Sequence, residues 1–180
     1  MKDRSNATKI ALCGAVAALS VVLMMLEGLV QIASVAIPAL AGLLLIPIVA
    51  EAGLGYAFSA YGVTAVLCLL LAPDREAALI YLLFFGYYPA LYAVLSKIKN
   101  RILCWGVKLV IFNAAAIGEA LLAVYVLGIP FDDLPLGKWG YAALLLLANV
   151  VFVLYDTALA GVITQYYRRL HGMLSKYFRH

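Results

Sequence analysis

Long apolar stretches separated by short polar segments constrain the fold of this chain more than any other feature of its sequence. Each stretch approaches the roughly 20 residues that a helix needs to cross a bilayer core about 30 Å thick. Charged residues make up 12% of the chain, against roughly 25% in a typical soluble domain. The sequence therefore predicts an all-α integral membrane protein, a bundle of about six transmembrane helices forming a single domain over residues 1–180. The predicted helices cover about residues 9–26, 32–50, 54–72, 77–95, 108–128 and 139–167.

The positions of lysine and arginine predict the orientation of the bundle, because basic residues concentrate in short cytoplasmic loops. With six crossings, the outer side holds only Arg75 and Lys138 among the 13 basic residues. The other side holds the remaining eleven, including those of a basic tail at 168–180: Lys2, Arg4, Lys9, Lys97, Lys99, Arg101, Lys108, Arg168, Arg169, Lys176 and Arg179. We therefore expect both termini in the cytoplasm.

Prolines inside the apolar stretches predict local breaks in two helices. Pro38 and Pro47 fall within the second predicted helix, and Pro89 falls within the fourth. Proline removes a backbone donor, but a membrane helix tolerates it where neighbouring groups satisfy the freed carbonyl. We expect kinks or a split helix at 32–50.

No motif of a catalytic or metal site is present. The sequence lacks HExxH, GxSxG, a glycine-rich phosphate loop and a cysteine–histidine cluster. Three scattered cysteines are typical of small buried apolar residues, and the net charge of +4 follows from basic segment ends. We expect no enzyme activity, no nucleic-acid partner, and no metal or cofactor in this chain. Uphill transport would draw its energy from an ion gradient or another protein.

Four polar residues fall within the last two predicted helices: Asn113, Glu119, Asn149 and Asp156. Charges inside a membrane are costly unless they are paired or hydrated, so Glu119 and Asp156 are candidate functional residues. Asn113 and Asn149 are uncharged amides that accompany them. At about 1.5 Å per residue, helix depths predict an outer pair, Glu119 with Asn149, and a deeper pair, Asn113 with Asp156. Hydrogen bonding between helices is the favoured role for the deeper pair, and ligand contact is favoured for Glu119.

An aromatic stripe runs along the fourth predicted helix, formed by Tyr81, Phe85, Tyr88 and Tyr92 at spacings of 4, 3 and 4. Such a stripe is typical of packing or of a membrane-interface belt. If it faces Glu119, the two would form a pocket for a flat or cationic small molecule.

Two polar residues, Glu27 and Gln31, border the outer link between the first two predicted helices. They would either cap this pocket or be solvated loop residues, and the second role is favoured.

Small residues form one face of the first predicted helix: Ala11, Gly14, Ala15 and Ala18. Small side chains at a spacing of four let another helix approach closely. Internal packing and docking of a partner subunit are both open for this face.

The chain resembles the substrate-binding S components of energy-coupling factor (ECF) vitamin transporters. The resemblance covers its size, helix number, predicted cytoplasmic ends and the run IALCGAVAAL at 10–19; the segments LAGLLLIP at 40–47 and FFGYYP at 84–89 resemble a bacterial branch of such small membrane proteins. In that family an Ala-x-x-x-Ala face on the first helix docks onto a transmembrane coupling subunit, and Ala11 and Ala15 match it.

The resemblance implies a bacterial plasma-membrane subunit that binds a vitamin or similar micronutrient in its outer half, between the first outer link and the fourth to sixth helices. The predicted substrate-binding residues are Glu119, Asn149, Tyr81, Phe85 and Tyr88, with Glu27 and Gln31 as candidate cap residues. Release would require a coupling subunit and two ATPases that consume ATP. The sequence lacks a tryptophan-rich pocket and an N-terminal Met-His pair, so the substrate stays open. Two alternatives are a membrane scaffold similar to MreD, with Glu119 and the aromatic stripe internally paired and no cavity, and an ion-coupled secondary carrier.

Overall fold

The computed structural model describes residues 2–29, 34–126, 128 and 138–169, and the regular secondary structure of these residues is entirely helical. Five of the described helical spans are long and apolar enough to cross a membrane: Asn6–Leu26, Leu54–Leu71, Arg75–Leu95, Arg101–Tyr125 and Ala142–Arg169. A shorter apolar segment covers Ala36–Glu51. The prediction of a helical, multi-pass membrane protein is confirmed at this level. The part of the predicted basic tail that follows Arg169 lies outside the described residues.

Eight α-helices and two short turns make up these spans. They are α1 (Lys2–Leu26), a 3-10 turn (Glu27–Leu29), α2 (Ala36–Leu43), α3 (Ile46–Glu51), α4 (Leu54–Leu71), α5 (Arg75–Ile80), a π-helical turn (Tyr81–Phe85), α6 (Tyr88–Leu95), α7 (Arg101–Tyr125) and α8 (Lys138–Arg169). Asp74 caps α5 by accepting hydrogen bonds from the backbone N–H groups of Glu76 at 2.8 Å and Ala77 at 3.3 Å. Side-chain caps of this kind satisfy donors that the helix itself leaves unpaired.

The second apolar segment is split, as its prolines predict. It forms α2 and α3, and Pro47 lies in the first turn of α3, where its missing N–H costs nothing. Gly42 near the end of α2 lies against the π-helical turn. A Cβ atom at this position would come within 2.3 Å of the Phe85 carbonyl oxygen. Glycine therefore permits the close approach of these two elements.

A π-helical turn interrupts the span Arg75–Leu95 immediately before its proline. The N–H of Gly86 donates to the carbonyl of Tyr81 at 2.8 Å, which closes the wider turn. Pro89 follows in the first turn of α6 and offers no N–H to the Phe85 carbonyl. Turns of this type are frequent at functional sites. This one presents Phe84 and Phe85 to the interior of the bundle.

Helix α7 begins at Arg101, well before the predicted start at 108. Asn100 is the reason, because its side chain accepts hydrogen bonds from the N–H groups of Ile102 and Leu103 at 3.0 and 3.3 Å. The early start places Lys108 about two turns inside the helix, where it is buried. Lys108 is one of the eleven basic residues that the positive-inside pattern assigns to the cytoplasmic side.

The segment formed by α2 and α3 extends between the two ends of the bundle. At one end, the Tyr166 hydroxyl of α8 donates to Oε1 of Glu51 at 2.9 Å. Toward the other end, Val35 just before α2 shares a cavity with Glu119 of α7 and Leu144 of α8. Aromatic side chains fill the space between these ends; the buried ones are Phe84, Phe85, Tyr88, Phe112, Phe152, Tyr155 and Tyr166.

Candidate functional site

A cavity of about 410 Å³ lies between the π-helical turn, α7 and α8. Its lining by described residues is apolar apart from one carboxylate. The described lining residues are Val35, Ile80, Leu83, Phe84, Phe85, Phe112, Ala115, Ala116, Glu119, Leu144, Leu147, Ala148, Val151 and Phe152. Small-molecule pockets are usually concave and mostly apolar, with a few convergent polar groups.

Glu119 provides that carboxylate. Its side chain is half-buried, and among the described residues neither a hydrogen-bond donor nor a basic side chain contacts it. Phe85 of the aromatic stripe lines the same cavity. The structure therefore brings together two of the predicted substrate-binding residues, Glu119 and Phe85. A charge in an apolar span needs a counter-charge or water, so this group is available to a ligand.

Three phenyl rings form the floor of the cavity. Phe112 of α7 and Phe152 of α8 are stacked, with ring centroids 4.6 Å apart and an interplanar angle of 12°. Phe84 meets both edge-on, at 5.1 and 5.7 Å. Both arrangements are favourable for aromatic pairs. The rings separate the Glu119 cavity from the bundle interior beyond them.

A buried ion pair lies one helical turn beyond this floor. Nζ of Lys108 donates to Oδ1 and Oδ2 of Asp156 at 2.7 and 2.9 Å, and the Tyr88 hydroxyl donates to Oδ1 at 2.5 Å. Lys108 and Asp156 are only 6% and 4% exposed. The ammonium also lies 4.1 Å from the centre of the Tyr92 ring, a cation–π contact. Asp156 is therefore fully engaged within the bundle.

This ion pair corrects the predicted deeper pair, because Asp156 bonds to Lys108 and Tyr88 and Asn113 takes no part. The Tyr88 hydroxyl is directed to Asp156, and Tyr88 does not line the cavity. The predicted substrate-binding role of Tyr88 therefore has no support in the cavity geometry.

The outer pair is corrected as well, since Asn149 pairs with Asn113 and not with Glu119. Each amide donates to the other's carbonyl oxygen, at 2.9 and 3.0 Å. Each also donates to a carbonyl of its own helix, Leu109 or Leu145, at 2.8 Å. Asn149 lies opposite residue 113 instead of residue 119, a register difference of about 9 Å along the helices. Neither asparagine lines the cavity.

Tyr81, Glu27 and Gln31 complete the predicted substrate-binding residues. Tyr81 is fully buried in a separate cluster with Met24 and Cys68, away from the cavity. Glu27 is 1% exposed in the 3-10 turn and does not line the cavity either. Gln31 lies outside the described residues. Of the predicted set, Glu119 and Phe85 thus line the cavity.

Burial raises the pKa of Glu27 from 4.5 to about 7, with a further contribution from the negative charge of Asp74. The Ser34 side chain acts in the opposite direction, and Glu76 adds a smaller repulsion. This carboxyl, unlike Asp156, has no basic partner among the described residues. It is a titratable group at the bundle end where α1 ends.

The small-residue face of α1 is on the molecular surface. All four predicted docking residues are exposed: Ala11, Gly14, Ala15 and Ala18. The opposite face, with Ala17, Val21 and Met24, is buried. Internal packing does not account for the four small residues in the described part of the chain, and their surface is open to another helix.

Lys108, Phe84 and Phe112 were not among the predicted site residues. A signal for two of them exists in the spacing along α7, where Lys108, Phe112, Ala115 and Glu119 recur at intervals of 4, 3 and 4. Residues at such intervals share one helix face.

In comparisons with known proteins, no family model, no curated protein and no solved structure matches this chain.

Proposed function

We propose that this chain is the substrate-binding S component of an ECF-type importer, which captures a vitamin or similar micronutrient outside the cell. The observation that carries the proposal is the apolar cavity with the carboxylate of Glu119, which has no partner among the described residues. A membrane scaffold has no need for a preformed cavity of about 410 Å³, a size within the range of ligand pockets, roughly 300–1,000 Å³.

The charges at the two ends of the bundle support an outward-facing cavity. Lys97 and Lys99 are exposed between α6 and α7, and Arg101 is exposed at the first position of α7. Arg168 and Arg169 are exposed at the end of α8. The positive-inside rule assigns this end to the cytoplasm. The cavity lies toward the opposite end, where α5 begins and α7 ends. The proposed topology has six crossings, of which Ala36–Glu51 is the second, and both termini in the cytoplasm.

The exposed face of α1 supports docking to a coupling subunit. Ala11, Gly14, Ala15 and Ala18 offer a helix surface with little side-chain bulk, which suits close contact with a partner helix. The sequence contains no phosphate-binding loop, so ATP would be hydrolysed by two partner ATPases. On this proposal, docking on α1 transmits the movement that opens the cavity inward.

A ligand screen tests the proposal. Purified protein in lipid nanodiscs is incubated with a vitamin panel and analysed by native mass spectrometry and thermal unfolding. We expect one compound to bind and to raise the unfolding temperature, because a ligand at 100 times its Kd stabilises by about 2.7 kcal/mol. Glu119→Gln is expected to weaken binding, whereas Glu76→Gln, an exposed carboxylate at the same end, is the matched control.

The screen also separates this proposal from a scaffold similar to MreD. Failure of every compound to bind, with none co-purifying, would remove the basis for an S component and favour the scaffold. Binding that is unchanged in Glu119→Gln would show that the ligand uses a different site.

An ion-coupled carrier is the second candidate, and the buried Lys108–Asp156 pair favours it. Intramembrane ionisable pairs occur in proton and ion pathways. Reconstitution in liposomes discriminates the two functions. A carrier would accumulate its ligand under an ion gradient without any partner, whereas an S component would accumulate none unless the coupling subunit and ATPases are present.

A further inference from the structure

The balance of polar and apolar groups in the Glu119 cavity limits what it can bind. Thirteen of its 14 described lining residues have no polar side-chain atom, and the remaining one is Glu119. The nearby amides of Asn113 and Asn149 are engaged with each other and with backbone carbonyls. The cavity thus offers one side-chain acceptor with a negative charge and, among the described side chains, no hydrogen-bond donor.

The bundle also contains no spare cation for Glu119 in its described residues. Lys108 is the one buried basic side chain there, and Asp156 holds it through both carboxylate oxygens. Leaving a carboxylate without a counter-charge in an apolar span is costly. A positively charged ligand would supply the missing counter-charge at this position.

The walls favour a ligand with an apolar body. Phe84, Phe85, Phe112 and Phe152 each contribute a phenyl ring to the lining. Aromatic faces attract both flat ring systems and cations, and the attraction of a cation is stronger where water is excluded. A polyhydroxylated or anionic compound would lose its hydration in this cavity without gaining donors.

We infer that the ligand of this cavity is a small molecule with an apolar, ring-containing body and a single positive charge that pairs with Glu119. The inference rests on the proposed function and narrows its substrate class. Among micronutrients, it selects lipophilic monocations over acids, sugars and phosphorylated compounds.

Two isosteric probes test the charge requirement directly. Benzyltrimethylammonium carries a fixed positive charge, and neopentylbenzene has the same shape with carbon in place of nitrogen. Phenylacetate serves as the anionic probe. Binding is measured by equilibrium dialysis against protein in lipid nanodiscs, with empty nanodiscs to correct for partition into lipid.

We expect wild-type protein to bind the cation at least about tenfold more tightly than its neutral isostere, and to bind phenylacetate not at all. Glu119→Gln should abolish the preference, and Glu76→Gln should retain it. Equal binding of the two isosteres, a preference that persists in Glu119→Gln, or no binding of the cation would each overturn the inference. The proposed function fails separately, when the whole vitamin panel yields no ligand.

Discussion

Lys108 of α7 and Asp156 of α8 form a buried two-point ion pair, with Nζ 2.7 and 2.9 Å from the two carboxylate oxygens. Removing one partner of such a pair leaves an uncompensated charge and costs about 3–5 kcal/mol, whereas replacing both with apolar residues is often neutral. We expect Lys108→Met to destabilise the protein by this amount and Lys108→Met with Asp156→Leu to recover most of it. Thermal unfolding in detergent measures both, with exposed Lys97→Met as control. A single variant as stable as wild type would contradict the structural role of the pair.

The reciprocal amide bonds between Asn113 and Asn149 predict a measurable coupling. Hydrogen bonds between membrane helices contribute about 0.6 kcal/mol on average and up to about 1.7. A double-mutant cycle with Asn113→Leu and Asn149→Leu should give a coupling energy within that range. If Asn149 is instead coupled to Glu119, the partner predicted from helix depth, the bond between the two amides would be contradicted.

The contact between α2 and the π-helical turn depends on Gly42. A methyl group there would lie 2.3 Å from the backbone oxygen of Phe85, which cannot rotate away. We expect Gly42→Ala to cost about 1–3 kcal/mol through overpacking. Gly62→Ala is the matched control, because a Cβ atom at Gly62 has no neighbour within 4 Å. Equal unfolding temperatures for the two variants would contradict this close approach.

Glu27 predicts a pH dependence of stability. Its pKa is 4.5 ordinarily and about 7 in the folded protein, because of burial and the nearby charges of Asp74 and Glu76. Between these values the folded state retains a proton that the unfolded chain releases, so stability falls as pH rises from about 4.5 to 7. We expect Glu27→Gln to remove this fall and to be more stable than wild type at pH 8. Parallel curves for the two proteins over this range would show that Glu27 does not titrate as described.

Local properties of the sequence predicted the apolar helices and the choice of Glu119 as a candidate ligand contact. Apolar length identifies a span because backbone groups in lipid must be satisfied within the helix. The prolines predicted the division of the segment Ala36–Glu51, because proline lacks the backbone N–H that would continue the helix. A lone carboxylate in an apolar stretch is also visible without any knowledge of its neighbours, and Glu119 does line the cavity.

The polar partnerships could not be predicted, because they depend on the register between α7 and α8. Helix depths predicted from the sequence depend on the connection between these helices, most of which lies outside the described residues. A difference of about 9 Å in register separates the predicted partners of Asn113 and Asn149 from the observed ones, since the two amides bond to each other. Apolar length predicts a start of this helix at 108, whereas the Asn100 cap starts α7 at Arg101, and Lys108 therefore lies inside the helix instead of at its end.

Filling the cavity tests the central claim most directly. Ala148 lines it on α8, whereas Ala143 on the same helix is exposed and does not line it. Native mass spectrometry compares wild type, Ala148→Phe and Ala143→Phe after incubation with the vitamin panel. If the ligand binds in this cavity, wild type and Ala143→Phe will carry a bound compound and Ala148→Phe will carry none. A folded Ala148→Phe variant that retains the compound, or the absence of a bound compound from all three proteins, would contradict it.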